Sequence, residues 1–168
     1  MNGEPAGGQF PMQGNFISGA EIPTQDERTM ATLAHVLQLV GWWIAPLVIF
    51  LVKRESRFVK FHALQALLLQ LVYMVMFGLC MVGWFALIFL TIVQHPVPKG
   101  EAPPPAIFLV FPLVWLGFMG MYVLLTVMAI VYGIKAGRGE WAAYPVLGAW
   151  ARKMLRIAPD GRELAESA

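Results

Sequence analysis

Three long runs without a charged residue dominate the chain. Trimmed to their apolar parts, they are residues 30–52, 61–93 and 106–134. An apolar run of about 18 residues or more without charges is typical of a membrane-spanning helix. The pattern therefore predicts an all-α, polytopic membrane protein whose three apolar segments belong to one helical domain at residues 26–158.

The first apolar segment allows two interpretations. Its middle reads GWWIAP, with Gly41 and Pro46 five positions apart. A proline inside a helix removes one backbone hydrogen bond and kinks the chain. The segment is therefore either one kinked span or a short re-entrant hairpin that turns near Trp42 and Trp43. Backbone that is not helical at membrane depth requires burial by surrounding protein.

The segments that flank the membrane domain are polar. Residues 1–25 are rich in Gly, Pro and Gln, which predicts a disordered tail. Thr24 and Glu27 have the spacing of a capping box, so a helix is expected to begin near Gln25. Residues 159–168 are predicted to form a second flexible tail.

An amphipathic helix is predicted at residues 144–157, and it places basic and apolar side chains on opposite faces. A helix of this kind suits the headgroup layer of the cytoplasmic leaflet. The basic, membrane-surface face comprises Arg152, Lys153 and Arg156. The apolar face comprises Leu147, Trp150, Ala151, Met154, Leu155 and Ile157.

The distribution of Lys and Arg predicts the orientation. Four of these residues lie within 53–60 and six follow residue 134, whereas one precedes the first segment and one lies within 94–105. By the positive-inside rule, the 53–60 loop and the C-terminus are cytoplasmic. The predicted location is the bacterial cytoplasmic (inner) membrane. The N-terminus is outside if the first segment spans and inside if it is a hairpin.

His35 and His62 are the polar residues that suggest chemistry within the apolar segments. Two roles are open for them. They could be cofactor ligands, for example axial ligands of a pigment, or they could form structural hydrogen bonds between helices. The three segments contain no acidic residue, so we predict neither a metal site nor a bound cofactor. The structural role is favoured. Only the hairpin brings these two histidines near each other.

Aromatic residues recur along the third apolar segment at helical spacing. Intervals of three and four positions place them on one face of a helix. The face is predicted to pack against another helix or to face lipid. Its members are Phe108, Phe111, Trp115, Phe118 and Tyr122.

The composition excludes a soluble enzyme and a nucleic-acid-binding module. Charged residues make up 13% of the chain, about half of the roughly 25% that soluble domains carry. The sequence contains no P-loop, nucleophile elbow, HExxH or CxxC motif, and catalysis needs positioned acids, bases or nucleophiles. We therefore predict that the protein is not an enzyme.

Several local stretches resemble a known family. The stretch FVKFHALQALLLQ supplies Phe58, Phe61, His62 and Gln65, and AGRGEWAAYPVL follows the last apolar segment. Over about residues 27–150 the chain resembles a bacterial family of small membrane proteins of unknown function. That family is distantly related to the channel-forming subunit of the chloroplast inner-envelope (Tic) protein import complex. The resemblance implies a compact helical membrane protein, with no catalytic residue and often with a helix–turn–helix as first segment.

Three hypotheses for function follow. The first is a non-catalytic accessory or structural subunit of a larger membrane complex, with the lipid bilayer and other membrane subunits or further copies of itself as partners. The second is a homo-oligomeric pore or small transporter, and the third is a pigment- or cofactor-binding subunit. A pore would have to be lined by the few polar residues of the segments: His35, Gln38, Gln65, Gln70, Thr91 and Thr126.

Overall fold

The computed structural model describes the backbone of residues 16–17, 20–94, 100 and 105–162, and the side chains of 22–94, 100 and 109–162. A two-residue antiparallel pairing of β1 (Phe16–Ile17) with β2 (Ala20–Glu21) precedes the helices. The other residues of the predicted N-terminal tail before Ala20 lie outside the described part. The helices are α1 (Gln25–Gly41), α2 (Ile44–Val52), α3 (Arg57–Gln94), α4 (Pro105–Gly137) and α5 (Leu147–Leu155).

Helix α1 begins at the predicted capping box. The Glu27 backbone N–H donates to the Thr24 hydroxyl, and the Thr24 backbone N–H donates to the Glu27 carboxylate over 2.7 Å. Partial burial raises the pKa of Glu27, but hydrogen bonds from Ser56 and Thr24 outweigh it and lower the pKa overall. The predicted helix start is confirmed, and the same carboxylate ties it to the start of α3.

The first apolar segment is a hairpin of two helices. Helix α1 ends at Gly41, and α2 begins at Ile44 after a turn through Trp42 and Trp43. The Lys53 ammonium, just after α2, lies 2.7 Å from the Asp26 carboxylate in the first turn of α1. The two ends of the segment are therefore adjacent, which excludes a single kinked helix.

The turn at the hairpin tip explains the Gly and Pro spacing. A Cβ atom on Gly41 would lie 2.8 Å from the Ala45 Cβ, so the close approach of the two helices requires glycine there. Trp42 takes a φ of 51°, the left-handed region that bulky residues rarely adopt. Pro46 falls in the first turn of α2, where its missing N–H costs no helical hydrogen bond.

Helices α3 and α4 are the elements long and apolar enough to cross a membrane within the described residues. The qualifying stretches are Arg57–Gln94 and Leu109–Gly137. Most side chains of α3 beyond Gln70 are exposed, and so are most of those of α4 before Leu125. The three predicted apolar segments thus become two long helices and one helical hairpin.

The hairpin packs at one end of the two long helices, and we call this end of the molecule the base. It comprises α1, α2, α3 up to Gln70, α4 from Leu125, and residues 138–162. Helix α1 contacts both α3 and α4. The fully buried Ala31 and Ala34 allow the close approach, and the Thr32 hydroxyl donates to the Gly133 carbonyl over 3.1 Å.

Helix α5 is shorter than the predicted 144–157 and divides its apolar residues between two environments. Ala151 and Ile157 are buried against Phe61 and Leu64 of α3. Trp150 and Met154 remain exposed, on the same side as Lys153. The predicted apolar face therefore serves partly as protein core and partly as outer surface.

The end of the described chain folds back instead of extending away. Gly161 lies against the Trp141 ring, where any Cβ would overlap the indole, and its φ of 87° suits glycine. Residues 159–162, predicted as part of a flexible tail, are thus attached to the base. Residues 163–168 lie outside the described part.

The hairpin gives a direct expectation for topology. In a Cys80→Ala background, Ile22→Cys and Glu55→Cys flank the hairpin, and Glu101→Cys lies between α3 and α4. A membrane-impermeant maleimide should label the first two from one side of the membrane and the third from the other side. Sided membrane vesicles provide the measurement. Labelling of Ile22→Cys together with Glu101→Cys would contradict the hairpin.

Candidate functional site: a buried histidine–tyrosine–glutamine network

Three buried polar side chains from separate parts of the base meet at its centre. His35 comes from α1, His62 from α3 and Tyr144 from the segment between α4 and α5. The His35 Nε2 lies 3.0 Å from the His62 Nδ1, and the Tyr144 hydroxyl lies 2.9 Å from the His35 Nδ1. The His62 Nε2 lies 3.1 Å from the Glu140 carbonyl oxygen. The three side chains and this carbonyl form one continuous chain.

The Glu140 carbonyl fixes the direction of every hydrogen bond in this chain. A carbonyl can only accept, so the His62 Nε2–H donates to it. With a neutral ring, the His62 Nδ1 then accepts from the His35 Nε2–H, and the His35 Nδ1 accepts from the Tyr144 hydroxyl. No carboxylate takes part in these contacts, and burial without a counter-charge favours neutral imidazoles.

Gln65 extends the network to the backbone between α4 and α5. Its Oε1 accepts from the Tyr144 backbone N–H over 2.6 Å, and its Nε2 donates to the Ala142 carbonyl over 3.3 Å. Both atoms of the amide are used, which satisfies backbone groups of a segment without helical hydrogen bonds. Gln65 therefore holds residues 142–144 against α3.

Aromatic rings enclose the network. The Phe58 ring packs edge-on against both His62 and Trp141, with centroids 4.6 and 5.2 Å apart. The Tyr132 ring of α4 lies edge-on to Tyr144 at 4.3 Å. These rings exclude water, and hydrogen bonds between polar groups become stronger when water is absent.

Burial also keeps the Tyr144 hydroxyl protonated. It raises the pKa of Tyr144, and this effect exceeds the opposite effect of the neighbouring Gln38 side chain. The hydroxyl consequently retains the proton that it donates to His35 at any physiological pH. Gln38 itself is buried and lies beside this hydroxyl, but neither its amide oxygen nor its amide nitrogen makes a close hydrogen bond.

The arrangement leaves neither imidazole free for a ligand. Each nitrogen of His35 and His62 takes part in a hydrogen bond, so no lone pair is open to a metal ion or a pigment. Within the described residues, no three His, Cys, Asp or Glu side chains converge as metal ligands would. The geometry suits a structural role for both histidines.

The residues considered as pore lining do not share one surface. His35, Gln38, Gln65 and Gln70 are buried in the base of a single chain. The hydroxyls of Thr91 and Thr126 donate to carbonyls of their own helices, over 2.8 and 2.9 Å. These side chains therefore face the protein interior or their own backbone.

The residues selected from sequence separate into two groups. Phe58, Phe61, His62 and Gln65 are brought together in the base. The aromatic face of α4 lies far along the long helices, where Phe118 contacts Phe77 and Phe111 contacts Trp84 at centroid distances of 4.8 and 5.6 Å. Trp115 stacks on Phe111, and both stay half-exposed, as does Tyr122. The Phe108 side chain lies outside the described part.

Arg152 does not lie on the predicted membrane-surface face. Its guanidinium donates to the Trp141 carbonyl over 3.0 Å and lies 5.4 Å from the centre of the Phe61 ring. The reason is the way α5 docks, since the side that carries Ala151 and Arg152 turns towards α3. Lys153 and Arg156 are exposed, and their contact with the membrane surface stays a prediction.

Sequence reasoning missed Tyr144 and the Glu140 carbonyl as partners of the histidines. Both lie in the stretch AGRGEWAAYPVL, more than 70 positions from His62. A tyrosine and a glutamate directly after an apolar segment are ordinary interface residues, so their type alone carries no signal. Tyr144 and the Glu140 carbonyl reach the histidines because the chain turns back into the base after α4.

The chain matches one family in sequence comparisons. The sequence model of the MamF/MmsF family, described as a magnetosome magnetite crystal formation protein family, matches residues 26–151. The match runs from α1 into α5 and includes every residue of the polar network. It supports the predicted similarity to a family of small bacterial membrane proteins, whereas nothing supports the relationship to the import channel. No curated protein and no solved structure matches.

Removal of the Tyr144 hydroxyl tests the chain of hydrogen bonds. Tyr144→Phe leaves the buried His35 Nδ1 without its donor, which should lower the free energy of unfolding by about 1–3 kcal/mol. Thermal unfolding in detergent measures this effect. Tyr122→Phe is the matched control, because Tyr122 is 41% exposed. Equal loss of stability in both variants would contradict the proposed role of the hydroxyl.

Replacement of Gln65 tests how the segment after α4 is held. Gln65→Leu removes both hydrogen bonds to residues 142–144, so the Tyr144 backbone amide should exchange with solvent about tenfold faster or more. Hydrogen–deuterium exchange with mass spectrometry follows this segment. Gln94→Leu, at the exposed end of α3, should leave the rate unchanged. An unaltered rate in Gln65→Leu would show that packing alone holds the segment.

Proposed function

Because the chain belongs to the magnetosome magnetite crystal formation protein family, we propose that it takes part in magnetite crystal formation as a non-catalytic protein of the magnetosome membrane. The observation that carries this proposal is the family match across residues 26–151, which covers the base and both long helices. The two apolar helices support a membrane location.

The chemistry of the base supports a non-catalytic role. Its histidines, its tyrosine and Gln65 are engaged in hydrogen bonds that join α1, α3 and the segment after α4. A catalytic acid or base has to reach a substrate, and these groups are buried and already paired. The network instead gives the protein a fixed shape at one end.

The charge distribution supports an orientation with the base on the cytoplasmic side of the membrane. Apart from Lys99, every Lys and Arg lies in one of three places: the first turns of α1 (Arg28), residues 53–60 from the end of α2 into the first turn of α3, or the chain after Ile134. These positions belong to the base or adjoin it. The positive-inside rule favours the cytoplasmic side for such a cluster. The N-terminus is then cytoplasmic as well, since the hairpin returns α2 to the start of α1.

Helix α5 is suited to the surface of the same membrane leaflet. Trp150 and Met154 are exposed apolar side chains beside Lys153. An exposed indole close to a basic residue favours the headgroup layer. This contact would orient the base against the cytoplasmic leaflet.

The long helices provide the surface for partners. Beyond the base, α3 and α4 present exposed apolar side chains such as Val82, Phe85 and Leu116. Lipid covers such a surface, and so do helices of other membrane proteins. We therefore propose an accessory or structural subunit that acts by association, within a complex or with further copies of the chain.

Deletion and complementation in the native host test the role in magnetite formation. Loss of the gene should change the size or number of magnetite crystals seen by electron microscopy, and the wild-type gene should restore them. Trp150→Ala, combined with Met154→Ala, should restore them only in part if α5 must contact the membrane. Crystals unchanged after deletion would contradict the proposal.

Purification in mild detergent tests the accessory role separately. A subunit that acts by association should co-elute with a stoichiometric membrane partner or as a defined homo-oligomer, measured by native mass spectrometry. A monomer that restores normal crystals when expressed alone would contradict association. Ion flux through liposomes that contain the purified chain alone would favour the pore instead.

A further inference from the structure

A small cavity lies where α1 ends between the two long helices. Its volume is about 150 Å³. The cavity is lined by Gln38 and Trp42 of α1, by Gln70, Tyr73 and Phe77 of α3, and by Tyr122 of α4. It adjoins the histidine network, because Gln38 also lies beside the Tyr144 hydroxyl.

Two buried amides that line the cavity have polar atoms without close hydrogen bonds. Gln38 is 1% exposed and lies beside the Tyr144 hydroxyl, but both its Oε1 and its Nε2 lack a close hydrogen bond. Gln70 is 5% exposed, and its Oε1 also lacks one. A buried polar atom without a partner is costly, and native structures normally satisfy it with protein, water or a ligand. Two amides from different helices at one cavity therefore indicate an occupant.

The unpaired atoms specify what the occupant must supply. Two carbonyl oxygens accept and one NH₂ group donates, so an occupant with a hydroxyl can satisfy both kinds of atom. A quinone, which carries only acceptors, would satisfy the Gln38 Nε2 alone. Four aromatic side chains, Trp42, Tyr73, Phe77 and Tyr122, line the same cavity, which favours an aromatic ring as occupant.

We propose that this cavity binds a hydroxyl-bearing aromatic ring, such as a phenol or the head group of a quinol. A cavity of about 150 Å³ is large enough for one benzene-sized ring. The ring packs among the aromatic side chains, and its hydroxyl donates to Gln38 or Gln70 and accepts from the Gln38 Nε2. A neighbouring cleft shares Phe77 with the cavity, is also lined by Trp115 and Phe118, and can hold an apolar tail.

Binding of two ring probes to the full chain in detergent micelles tests the site. The probes are 4-fluorophenol and fluorobenzene, which differ by the hydroxyl, and ¹⁹F NMR against empty micelles measures each. We expect saturable binding of 4-fluorophenol that is about tenfold tighter than binding of fluorobenzene. The reason is one extra hydrogen bond, since a tenfold change in affinity corresponds to about 1.4 kcal/mol. Absence of saturable binding would overturn the proposal and leave water as the occupant.

Substitution of the amides identifies the groups responsible. Gln38→Leu combined with Gln70→Leu should abolish the preference, so that 4-fluorophenol and fluorobenzene bind with about equal affinity. Gln94→Leu should leave the preference unchanged. A preference that survives both substitutions would overturn the assignment. If the double variant fails to fold, 4-azidophenol photolabelling of the wild-type chain replaces it. The site is supported if Trp42, Tyr73 or Tyr122 is labelled and excess phenol suppresses this labelling. Labelling elsewhere overturns it.

A third probe distinguishes the origin of the ring. In the same assay, 4-butylphenol should bind more tightly than 4-fluorophenol, after correction for its partition into micelles, if the natural occupant is carried in the bilayer on an apolar tail. Equal affinity indicates a free, tail-less phenol. Either result supports the ring site, whereas failure of 4-butylphenol to bind would overturn the quinol head group as its occupant.

Discussion

Tyr144, His35 and His62 form a chain of hydrogen bonds that ends on the Glu140 carbonyl, and the rest of the base depends on it. Because a carbonyl only accepts, one backbone atom sets the donor and acceptor of every link. Each link also joins different parts of the sequence: the segment after α4 to α1, α1 to α3, and α3 back to that segment. The closed arrangement satisfies polar groups that would be costly to bury alone.

This constraint accounts for the two-part architecture. The base is held by polar contacts and small residues, since the fully buried Ala31 and Ala34 let α1 lie close to its neighbours. Beyond the base, α3 and α4 expose apolar side chains and contain few polar groups. Within a bilayer the hydrophobic effect does not drive helices together, so packing and hydrogen bonds must define the fold. In this chain they are concentrated at one end.

The sequence predicted the elements better than their connections. The capping box at Thr24 and the long helices follow from local spacing and hydropathy. The hairpin stayed open as one of two alternatives, because a glycine and a proline five positions apart suit both a kink and a turn. The pairing of His35 with His62 depended on that choice. The positions of Tyr144 and Arg152 were not predictable, since both result from how residues after α4 fold back onto α3. Gln38 and Gln70 form one cavity only because α1 ends beside Gln70, which no periodicity reveals.

The protonation states of His35 and His62 report the direction of the hydrogen bonds in this chain. The chain contains three histidines, so ¹⁵N solid-state NMR of histidine-labelled protein in bilayers, with a His95→Gln variant for assignment, resolves each ring. We expect His35 and His62 both to be neutral with the proton on Nε2, and a coupling to connect the His35 Nε2 to the His62 Nδ1. An imidazolium, or a proton on Nδ1 of His62 in the neutral ring, would contradict the direction of the chain.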